Sequence, residues 1–440
     1  MKGQVLKNLA ERNKERAIIV GIVNSQQKRE LAEEYLDELA LLLDTAGAEV
    51  VKAVVQAKSA VDPAYFIGRG MAEQLAELVI SKKADMIVFD DDLSPSQVRN
   101  LESCCKTKIM DRSGIILDIF SHRAKTKEAK TQVELAQLQY YLHRLTKMWS
   151  HFSRQTGGAG IGLRGPGETQ LETDRRLIRK KITTLSRELE QISQQRQNRR
   201  KGRKDIFKVA LVGYTNAGKS SLMNSLTAAE IFVEDRLFAT LDPTVRLMEN
   251  SGKEKILLID TVGFIRKLPH HLIASFKSTL EESQDANLLL HVIDCTHHYF
   301  RDHIKVVLSV LRDLKIDDRP IITVFNKIDL IKEKFFLSEL RQEFAPCFLI
   351  SAKRNMFISE LKAEIIRQAS DSKVTASLHL KMSDHKQLAS IYGWADVLTR
   401  YYEDGLVHLK IQFPSSRRGC FYKLVENGAV IENDKILSEF

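Results

Sequence analysis

The chain has 440 residues, of which 43% are hydrophobic, and this composition excludes a disordered chain and allows about two to four domains with full cores. Lys and Arg number 67 against 57 Asp and Glu, which gives a net charge of +10. Such a basic balance favours polyanionic partners, such as nucleic acid or an acidic membrane surface.

The amino-terminal segment does not have the pattern of a signal peptide. Its apolar run, Ala17 to Val23, is short, and no apolar stretch of about 18 residues occurs in the sequence, so we predict neither secretion nor stable membrane insertion. The cysteines follow neither a zinc-site spacing nor a disulfide framework. We therefore expect reduced thiols in a cytoplasmic protein. These cysteines are Cys104, Cys105, Cys295, Cys347 and Cys420.

Residues 17 to 120 alternate short apolar runs with helical patterns. The runs AIIVGIV, EVVKAVVQA and DMIVFDDD suit buried strands. Helices are expected around Glu30 to Leu43 and near Met71 to Ser81. This alternation predicts a small parallel α/β domain over residues 1–125.

Two long helical patterns follow, each with one apolar stripe at spacings of three and four. Because two such stripes can pack together, we predict an antiparallel helical hairpin linker over residues 126–205. The loop GGAGIGLRGPGE can continue neither helix and is expected at the tip, about 35 to 40 Å from the base at 1.5 Å per residue. The first stripe is Leu135, Leu138, Leu142, Leu145, Trp149 and Phe152, and the second is Leu171, Ile178, Ile182, Leu185, Leu189 and Ile192. The tip residues are Gly157, Gly158, Gly160, Gly162, Gly165, Pro166 and Gly167.

The second helix of this hairpin is strongly basic. From Glu172 to Asp205 the sequence has 12 Lys or Arg residues against five acidic residues. A charged coiled-coil surface is one explanation for such a run. The density of charge at QRQNRRKGRK, next to a glycine loop with Arg164, favours contact with RNA.

A phosphate-binding loop is predicted at residues 213 to 220. The apolar run KVALVG leads into GYTNAGKSS and then into a helical segment, which is the strand, G-x-x-x-x-G-K-[ST], helix order of a nucleotide site. Gly213 and Gly218 let consecutive N–H groups point at phosphate oxygens. Lys219 supplies charge for the β- and γ-phosphates, and the Ser220 hydroxyl is suited to bind Mg²⁺.

Three further segments occur in the order that a guanine-nucleotide switch requires. In KILLIDTVGF a strand delivers Asp260, which can hold Mg²⁺ through water, and Gly263, whose N–H can bind the γ-phosphate. In IITVFNKIDL the Asp329 carboxylate suits the paired N–H donors of guanine, which adenine does not offer. Asn326 is expected to tie this loop to the phosphate loop, and in FLISAK the Ala352 N–H can meet guanine O6.

The segment LFATLDPTVR lies between the phosphate loop and the Asp260 strand, where a switch that senses the γ-phosphate belongs. A Thr hydroxyl in this segment can complete the Mg²⁺ shell. The residue pattern alone leaves Thr240 and Thr244 as alternatives.

Taken together, these segments resemble the HflX family of translation-factor-class P-loop GTPases. The resemblance rests on GGAGIGLRGPGETQLETDRR, GYTNAGKS, LFATLDPT, DTVGF, NKID and SAK, and it covers most of the chain. It implies that Thr240 binds Mg²⁺ together with Ser220. It also implies binding to the large ribosomal subunit and its RNA, with the linker loop directed toward the subunit's functional centre, in ribosome splitting, rescue or biogenesis.

The predicted site extends over all the nucleotide loops. Lys219, Thr240 and Gly263 are expected to act in the hydrolysis of GTP to GDP and phosphate. Nucleotide contacts are expected from Gly213, Tyr214, Thr215, Asn216, Ala217, Gly218, Lys219, Ser220, Phe238, Ala239, Thr240, Leu241, Asp242, Asp260, Thr261, Val262, Gly263, Asn326, Lys327, Ile328, Asp329, Ser351, Ala352 and Lys353.

Phe264 stands where many relatives of this fold carry a glutamine that orients the attacking water. A phenyl ring has no hydrogen-bonding group, so we predict slow intrinsic hydrolysis. Asn216 is one candidate for the missing function, because an asparagine here in similar GTPases helps to hold K⁺ between the phosphates. The alternative is that Asn216 only stabilises the loop.

The overall prediction is an α/β protein in four parts. After the N-terminal domain and the hairpin come a GTPase domain with a doubly wound sheet at 206–372 and a small C-terminal α+β unit at 373–440, with a helix around Leu388 to Tyr401. We expect a monomer that binds GTP and GDP. One competing hypothesis is a signalling or membrane-associated GTPase whose N-terminal domain recognises a protein or small ligand. Another is a nucleic-acid-binding module that uses GTP without turnover.

Overall fold

The computed structural model of the chain describes residues 14–23, 29–58, 60–148, 166–201, 206–227, 237–248, 255–267, 284–414, 417–426 and 429–431. Most of the glycine-rich loop, with Arg164, Trp149 and Phe152, lies outside the described residues. Within the described ranges, no helix combines the length and the apolar character needed to cross a bilayer. The five cysteines have free thiols.

The N-terminal domain is a parallel sheet with helices on both faces. Alternate residues of its first strand explain this, since Ala17 and Ile19 belong to one buried cluster and Ile18 and Val20 to another on the opposite face. The predicted parallel α/β domain is confirmed. The strands, in the order β2-β1-β3-β4, are β1 (Arg16–Val23), β2 (Glu49–Ala57), β3 (Met86–Phe89) and β4 (Lys108–Asp111). The helices are α1 (Arg29–Ala46), α2 (Arg69–Lys82), α3 (Pro95–Cys105) and α4 (Arg112–Arg123).

A long helical hairpin leaves this domain, formed by α5 (Lys127–Met148) and α6 (Pro166–Lys201). Lys127 Nζ lies 2.6 Å from Glu188 Oε1, and Lys181 forms an ion pair with Glu134. Residue numbers therefore increase along α5 in the direction in which they decrease along α6. The two helices are therefore antiparallel, as predicted.

The hairpin differs from its prediction at both ends. Pro166 and Gly167 were expected in the tip loop, but α6 begins at Pro166, because the fixed φ of proline and its missing N–H suit the first helical position. At the other end, Ala129, Val133 and Ala136 of α5 are buried in the core of the N-terminal domain. The base of the hairpin is thus part of that domain's core.

The third part is a six-stranded, mainly parallel sheet in the order β10-β9-β8-β5-β7-β6, with β6 antiparallel at the edge. The carboxyl ends of β5, β7 and β9 meet at one edge and bring the phosphate loop, Asp260 and Asn326 together. The strands are β5 (Phe207–Gly213), β6 (Thr244–Leu247), β7 (Ile256–Asp260), β8 (Leu288–Asp294), β9 (Ile321–Asn326) and β10 (Cys347–Leu349). The helices are α7 (Lys219–Leu226), α8 (Phe300–Asp313), α9 (Lys334–Glu343) and α10 (Ile358–Asp371), with a 3₁₀ turn at Ile328–Leu330.

The C-terminal unit is an antiparallel sheet with two helices, which agrees with the predicted α+β class. The helix expected up to Tyr401 was wrong, because α11 ends at Ile391 and the following segment is a strand. Asp404 and Gly405 both have positive φ, at 49° and 76°, and form the two-residue turn of a hairpin that aromatic and β-branched residues extend. The elements are β11 (Lys373–Lys381), α11 (His385–Ile391), β12 (Asp396–Glu403), β13 (Leu406–Pro414), α12 (Arg418–Glu426) and β14 (Val430–Ile431).

Candidate nucleotide site

The phosphate loop joins β5 to α7 and wraps around the amino group of a buried lysine. Lys219 Nζ donates to the carbonyl oxygens of Gly213 at 3.1 Å and Tyr214 at 2.8 Å. Burial lowers the pKa of Lys219 to about 8, and the charge of nearby Asp260 opposes this shift. Gly218 has φ +89°, and a Cβ on it would lie 2.2 Å from Asn326 Nδ2, so the loop requires glycine at this position.

Three oxygen-bearing side chains from three segments converge beside this loop. Ser220 Oγ lies 2.8 Å from Thr240 Oγ1 and donates to Asp260 Oδ2 at 2.6 Å, while Thr240 Oγ1 donates to the same carboxylate oxygen at 3.2 Å. Thr244, the alternative to Thr240, lies in β6 opposite Asp260 and is half-buried.

Asp260 is fully buried, and burial raises the pKa of its carboxyl group. Its Oδ1 atom has no hydrogen-bond partner among the described residues. An unpaired carboxylate oxygen next to two hydroxyl groups is a set of hard oxygen donors, and such donors fit Mg²⁺. The residues present therefore suit Mg²⁺, the metal that the sequence predicts here.

The segment after Asp260 approaches the phosphate loop closely. A Cβ on Gly263 would lie 2.8 Å from Thr215 Cα and 3.0 Å from Lys219 Nζ, so only glycine fits. The next residue, Phe264, pairs with the loop through its backbone, because Thr215 N donates to Phe264 O at 2.8 Å. Phe264 is only 2% exposed and its ring packs in the core, facing away from solvent.

The loops after β9 and β10 form the predicted base-recognition region. Asn326 Nδ2 donates to Ala217 O at 2.9 Å, and Ala352 N donates to Asn326 Oδ1 at 3.0 Å. The Asp329 side chain is held from one side, since Ser351 Oγ donates to its Oδ1 atom at 2.6 Å. These contacts bring the predicted base-recognition residues together next to the phosphate loop.

Two charged contacts in this region were not anticipated. Lys327 Nζ lies 2.7 Å from Asp294 Oδ2 at the end of β8, which fixes the lysine stem beside the base loop. Arg354 Nε lies 3.4 Å from Asp329 Oδ2, and the arginine is largely exposed. Arg354 directly follows the SAK segment, and this position is the sequence feature from which its contact with Asp329 could have been predicted.

The switch segment that contains Thr240 also contacts the N-terminal domain and the hairpin. The Asp242 carboxylate accepts hydrogen bonds from the backbone N–H of Lys125 at 3.1 Å and from both the N–H and the hydroxyl of Thr126. Thr126 Oγ1 in turn accepts from Ala129 N at 3.1 Å and caps the first turn of α5. Of the predicted nucleotide contacts, Asp242 thus directs its side chain to the hairpin.

Aromatic packing reinforces this contact. Phe238 packs edge-to-face against Phe120 of α4, with ring centroids 4.7 Å apart. Leu241, another predicted nucleotide contact, is buried in the same cluster. Since Phe238, Leu241 and Asp242 flank Thr240, the switch segment is fixed on both sides of its threonine.

The segment after Gly263 contacts the N-terminal domain through charged groups. Tyr214 Oη donates to Glu38 Oε1 at 2.5 Å and accepts from Arg266 N at 2.9 Å. Lys267 Nζ donates to Asp90 Oδ2 at 2.7 Å. Tyr214, predicted as a nucleotide contact, therefore directs its ring to the N-terminal domain, and only its backbone faces the phosphate loop.

Arg112 stands at the centre of this charged network and is only 1% exposed. It donates to Asp90 Oδ1 at 2.7 Å and also to Glu38. A buried arginine between two carboxylates fixes those carboxylates, and each also receives a cation from the GTPase domain. Sequence patterns did not single out these residues, because each belongs to an ordinary helix or strand end.

Comparison with known proteins gives three successive family matches. The descriptions are GTP-binding GTPase N-terminal for residues 33–121, GTP-binding GTPase Middle Region for 123–203, and 50S ribosome-binding GTPase for 208–327.

Several curated relatives described as GTPase HflX are similar over most of their length. The relative from Flavobacterium psychrophilum is 51% identical over 320 residues, which cover 73% of this chain and 77% of that protein. The relative from Escherichia coli is 41% identical over 404 residues, which cover 91% and 94%. Among solved structures, a GTP-binding protein from Sulfolobus solfataricus in complex with GDP is 24% identical, with a TM-score of 0.43, over 81% of this chain and 99% of that chain.

Proposed function

Because the chain belongs to the HflX family of GTPases and is a GTP hydrolase, we propose that its nucleotide state controls binding to the large ribosomal subunit. The description of the family that matches residues 208–327 names 50S ribosome binding. The proposed setting is the cytoplasm and the proposed form a monomer, acting in ribosome splitting, rescue or biogenesis.

One observation carries this proposal. Both segments that would face the γ-phosphate continue directly into contacts with the N-terminal domain or the hairpin, at Asp242 and at Arg266. Loss of the γ-phosphate would release Thr240 and Gly263, and the contacts two or three residues further on would then lose their anchor. The described contacts therefore support transmission of the nucleotide state to the hairpin.

Magnesium is the proposed metal. Ser220 and Thr240 would hold it directly and Asp260 through water, since the three side chains already lie within hydrogen-bond distance of one another. When bound, Mg²⁺ would supply positive charge that neutralises the phosphates. The chain's own contribution is to place Lys219 beside these phosphates.

The proposed catalytic residues are Lys219, Thr240 and Gly263. Lys219 offers charge to the phosphates, and the Gly263 N–H is available to a γ-phosphate oxygen. Because the Phe264 ring is buried in the core, hydrolysis without a partner should be slow. Asn216 is exposed at the rim of the loop and is the proposed ligand of a K⁺ ion, which a comparison of hydrolysis rates in K⁺ and Na⁺ tests directly.

Ribosomal RNA is the proposed contact of the hairpin. Its basic run would neutralise RNA phosphates, and this predicts a steep loss of binding as salt rises.

The decisive experiment is a sucrose-gradient profile of the full chain with purified large subunits. We expect co-sedimentation with a non-hydrolysable GTP analogue and much less with GDP. Lipid vesicles in a parallel pelleting assay test the alternative of a membrane-associated GTPase. Equal co-sedimentation in both nucleotide states, or binding to vesicles alone, would contradict the proposal.

A further inference from the structure

Three metal-binding side chains meet where the N-terminal domain contacts the GTPase domain. Glu34 comes from α1, His297 from the loop after β8, and His303 from the first turn of α8. One potential ligand atom of each lies within 4.8 Å of the other two. His297 Nδ1 and Glu34 Oε1 lie 3.7 Å apart.

The chemical state of these groups suits a metal. Glu34 Oε2 is buried and has no hydrogen-bond partner in the described part of the chain. Burial lowers the pKa of His303 to about 4 and also lowers that of His297, so both imidazoles are neutral at neutral pH. His297 Nδ1 accepts from Tyr299 N at 3.3 Å, a long hydrogen bond that a metal on this atom would replace. Burial raises the pKa of Glu34 to about 7, and a bound cation would favour its ionised form.

One separation within this cluster is close to the value for a tetrahedral site. Ligand atoms about 2.1 Å from a tetrahedral zinc ion are about 3.4 Å apart. The 3.7 Å between His297 and Glu34 approaches this value. The rings of His297 and His303 lie with centroids 4.3 Å apart, and side-chain rotation would turn both ring nitrogens toward one ion. A cavity of about 220 Å³ borders all three residues and has room for a water as a fourth ligand.

The ring of His303 is oriented by its contact with Tyr214. The Tyr214 ring stacks on the His303 ring with centroids 3.7 Å apart and planes 6° apart. Tyr214 is fixed by its hydrogen bond to Glu38, as described above. This stack fixes the plane of the His303 ring. The guanidinium of Arg266, which lowers the pKa of Glu34, is the nearby charge that opposes a cation.

We propose that Glu34, His297 and His303 bind one Zn²⁺ ion, which links the N-terminal domain to the GTPase domain. Two imidazole nitrogens and one carboxylate oxygen are a ligand set that zinc accepts with an open fourth position. The ion would join α1 to α8 across the interface on which the charged network around Arg112 also lies. This inference is independent of ribosome binding, because it concerns only contacts within the chain.

The test is zinc titration of the untagged full chain after metal removal, with Mg²⁺ and GDP at saturation so that the nucleotide site is filled. His303→Phe keeps a ring to stack on Tyr214 but removes the ring nitrogen, and Glu34→Gln keeps the size of the side chain. His298→Ala is the matched control, because this histidine is exposed and adjacent in sequence. Comparing variants also separates this site from zinc bound by cysteines.

We expect the wild type and His298→Ala to bind one more equivalent of Zn²⁺ than either ligand variant, or to bind it at least about 10-fold more tightly. Zn²⁺ should raise the thermal unfolding midpoint of the first two proteins only. Co²⁺ should give tetrahedral visible absorption in these two proteins. Equal zinc stoichiometry and affinity in all four proteins, or no binding by the wild type, would overturn the proposal.

Discussion

Asn326 donates a hydrogen bond to the carbonyl oxygen of Ala217, across 2.9 Å, and thereby ties the base loop to the phosphate loop. The oxygen of the same side-chain amide accepts from Ala352 N at 3.0 Å. One buried amide thus fixes three loops that are distant in sequence. The position of Asp329, three residues after this amide, is set by the same arrangement.

Base selectivity should depend on Asp329. Asp329→Asn replaces an acceptor of two guanine N–H donors, so we expect GTP binding to weaken about 10- to 100-fold, since an unpaired buried group costs about 1–3 kcal/mol. Xanthosine triphosphate, which presents an oxygen at C2 of the base, should bind better than to the wild type. Fluorescent-nucleotide titrations measure both, with Asp318→Asn as an exposed control. Wild-type GTP affinity in Asp329→Asn would show that base recognition lies elsewhere.

Gly263→Ala should slow hydrolysis by at least about 10-fold, because the added methyl would displace the phosphate loop or Lys219 from the γ-phosphate position. GDP affinity should change less, since GDP has no γ-phosphate. Gly70→Ala is the control, because no atom lies within 4 Å of its Cβ position in α2, and this change should leave turnover unaltered. Single-turnover phosphate release gives the rates. Unchanged turnover in Gly263→Ala would count against the proposed role.

Phe264 should matter for stability more than for chemistry. Phe264→Ala removes a ring buried in the core and should lower the free energy of unfolding by about 3–5 kcal/mol. Turnover per folded molecule should change little, because a phenyl ring cannot orient water. Denaturant unfolding and initial rates measure the two effects, with Phe264→Leu as the milder change. A loss of basal turnover in well-folded Phe264→Leu would contradict this expectation.

Thr126 should connect the nucleotide state to the hairpin. Thr126→Val removes the hydroxyl that bonds Asp242 and caps α5, and we expect about 1 kcal/mol of lost stability and weaker nucleotide dependence of large-subunit binding. Thr183→Val is the control, since its hydroxyl bonds only a carbonyl within α6. A double-mutant cycle with Asp242→Asn should give a coupling of about 0.5–3 kcal/mol. Strict additivity would mean that the contact carries no coupling.

The hairpin loop should serve the ribosome and leave nucleotide chemistry unaffected. Replacing Gly157 to Gly165 with a short linker spares Pro166, where α6 begins, and should leave GTP affinity and basal hydrolysis nearly intact. Ribosome-stimulated hydrolysis should disappear in this deletion.

Charge reversal in the basic run gives a different result, since it should weaken subunit binding and flatten its salt dependence. The residues to reverse are Arg199, Arg200, Arg203 and Lys204. For the loop deletion described above, ribosome-stimulated hydrolysis at the wild-type level would contradict the proposed role of the loop.

Sequence patterns predicted the parts of the fold that depend on local chemistry. Buried strands, the phosphate loop and the stripes of the hairpin each have a short-range signature, and the structure brings the predicted loops together at one sheet edge. The β12 strand was missed because its aromatic and β-branched residues followed a helical pattern. The Asp404–Gly405 turn was the signal that could have identified it.

Contacts between domains had no such signature. Glu38, Arg112 and Arg266 are common residue types at unremarkable positions, and only the packing of two complete domains brings them together. Tyr214 was predicted as a nucleotide contact because it follows Gly213 in the motif. Its turn toward Glu38 depends on a helix 176 residues earlier in the chain.

The burial of Ala129, Val133 and Ala136 makes the hairpin a lever whose short end is fixed in the N-terminal domain. From Glu188, at the level of Lys127, to Pro166 the helix α6 runs for about 33 Å at 1.5 Å per residue. A rotation of about 10° at the base would therefore displace its far end by about 6 Å. Asp242 contacts Thr126 at the base of the hairpin, so a small displacement of the Thr240 segment would be enlarged to several ångströms at the far end of α6.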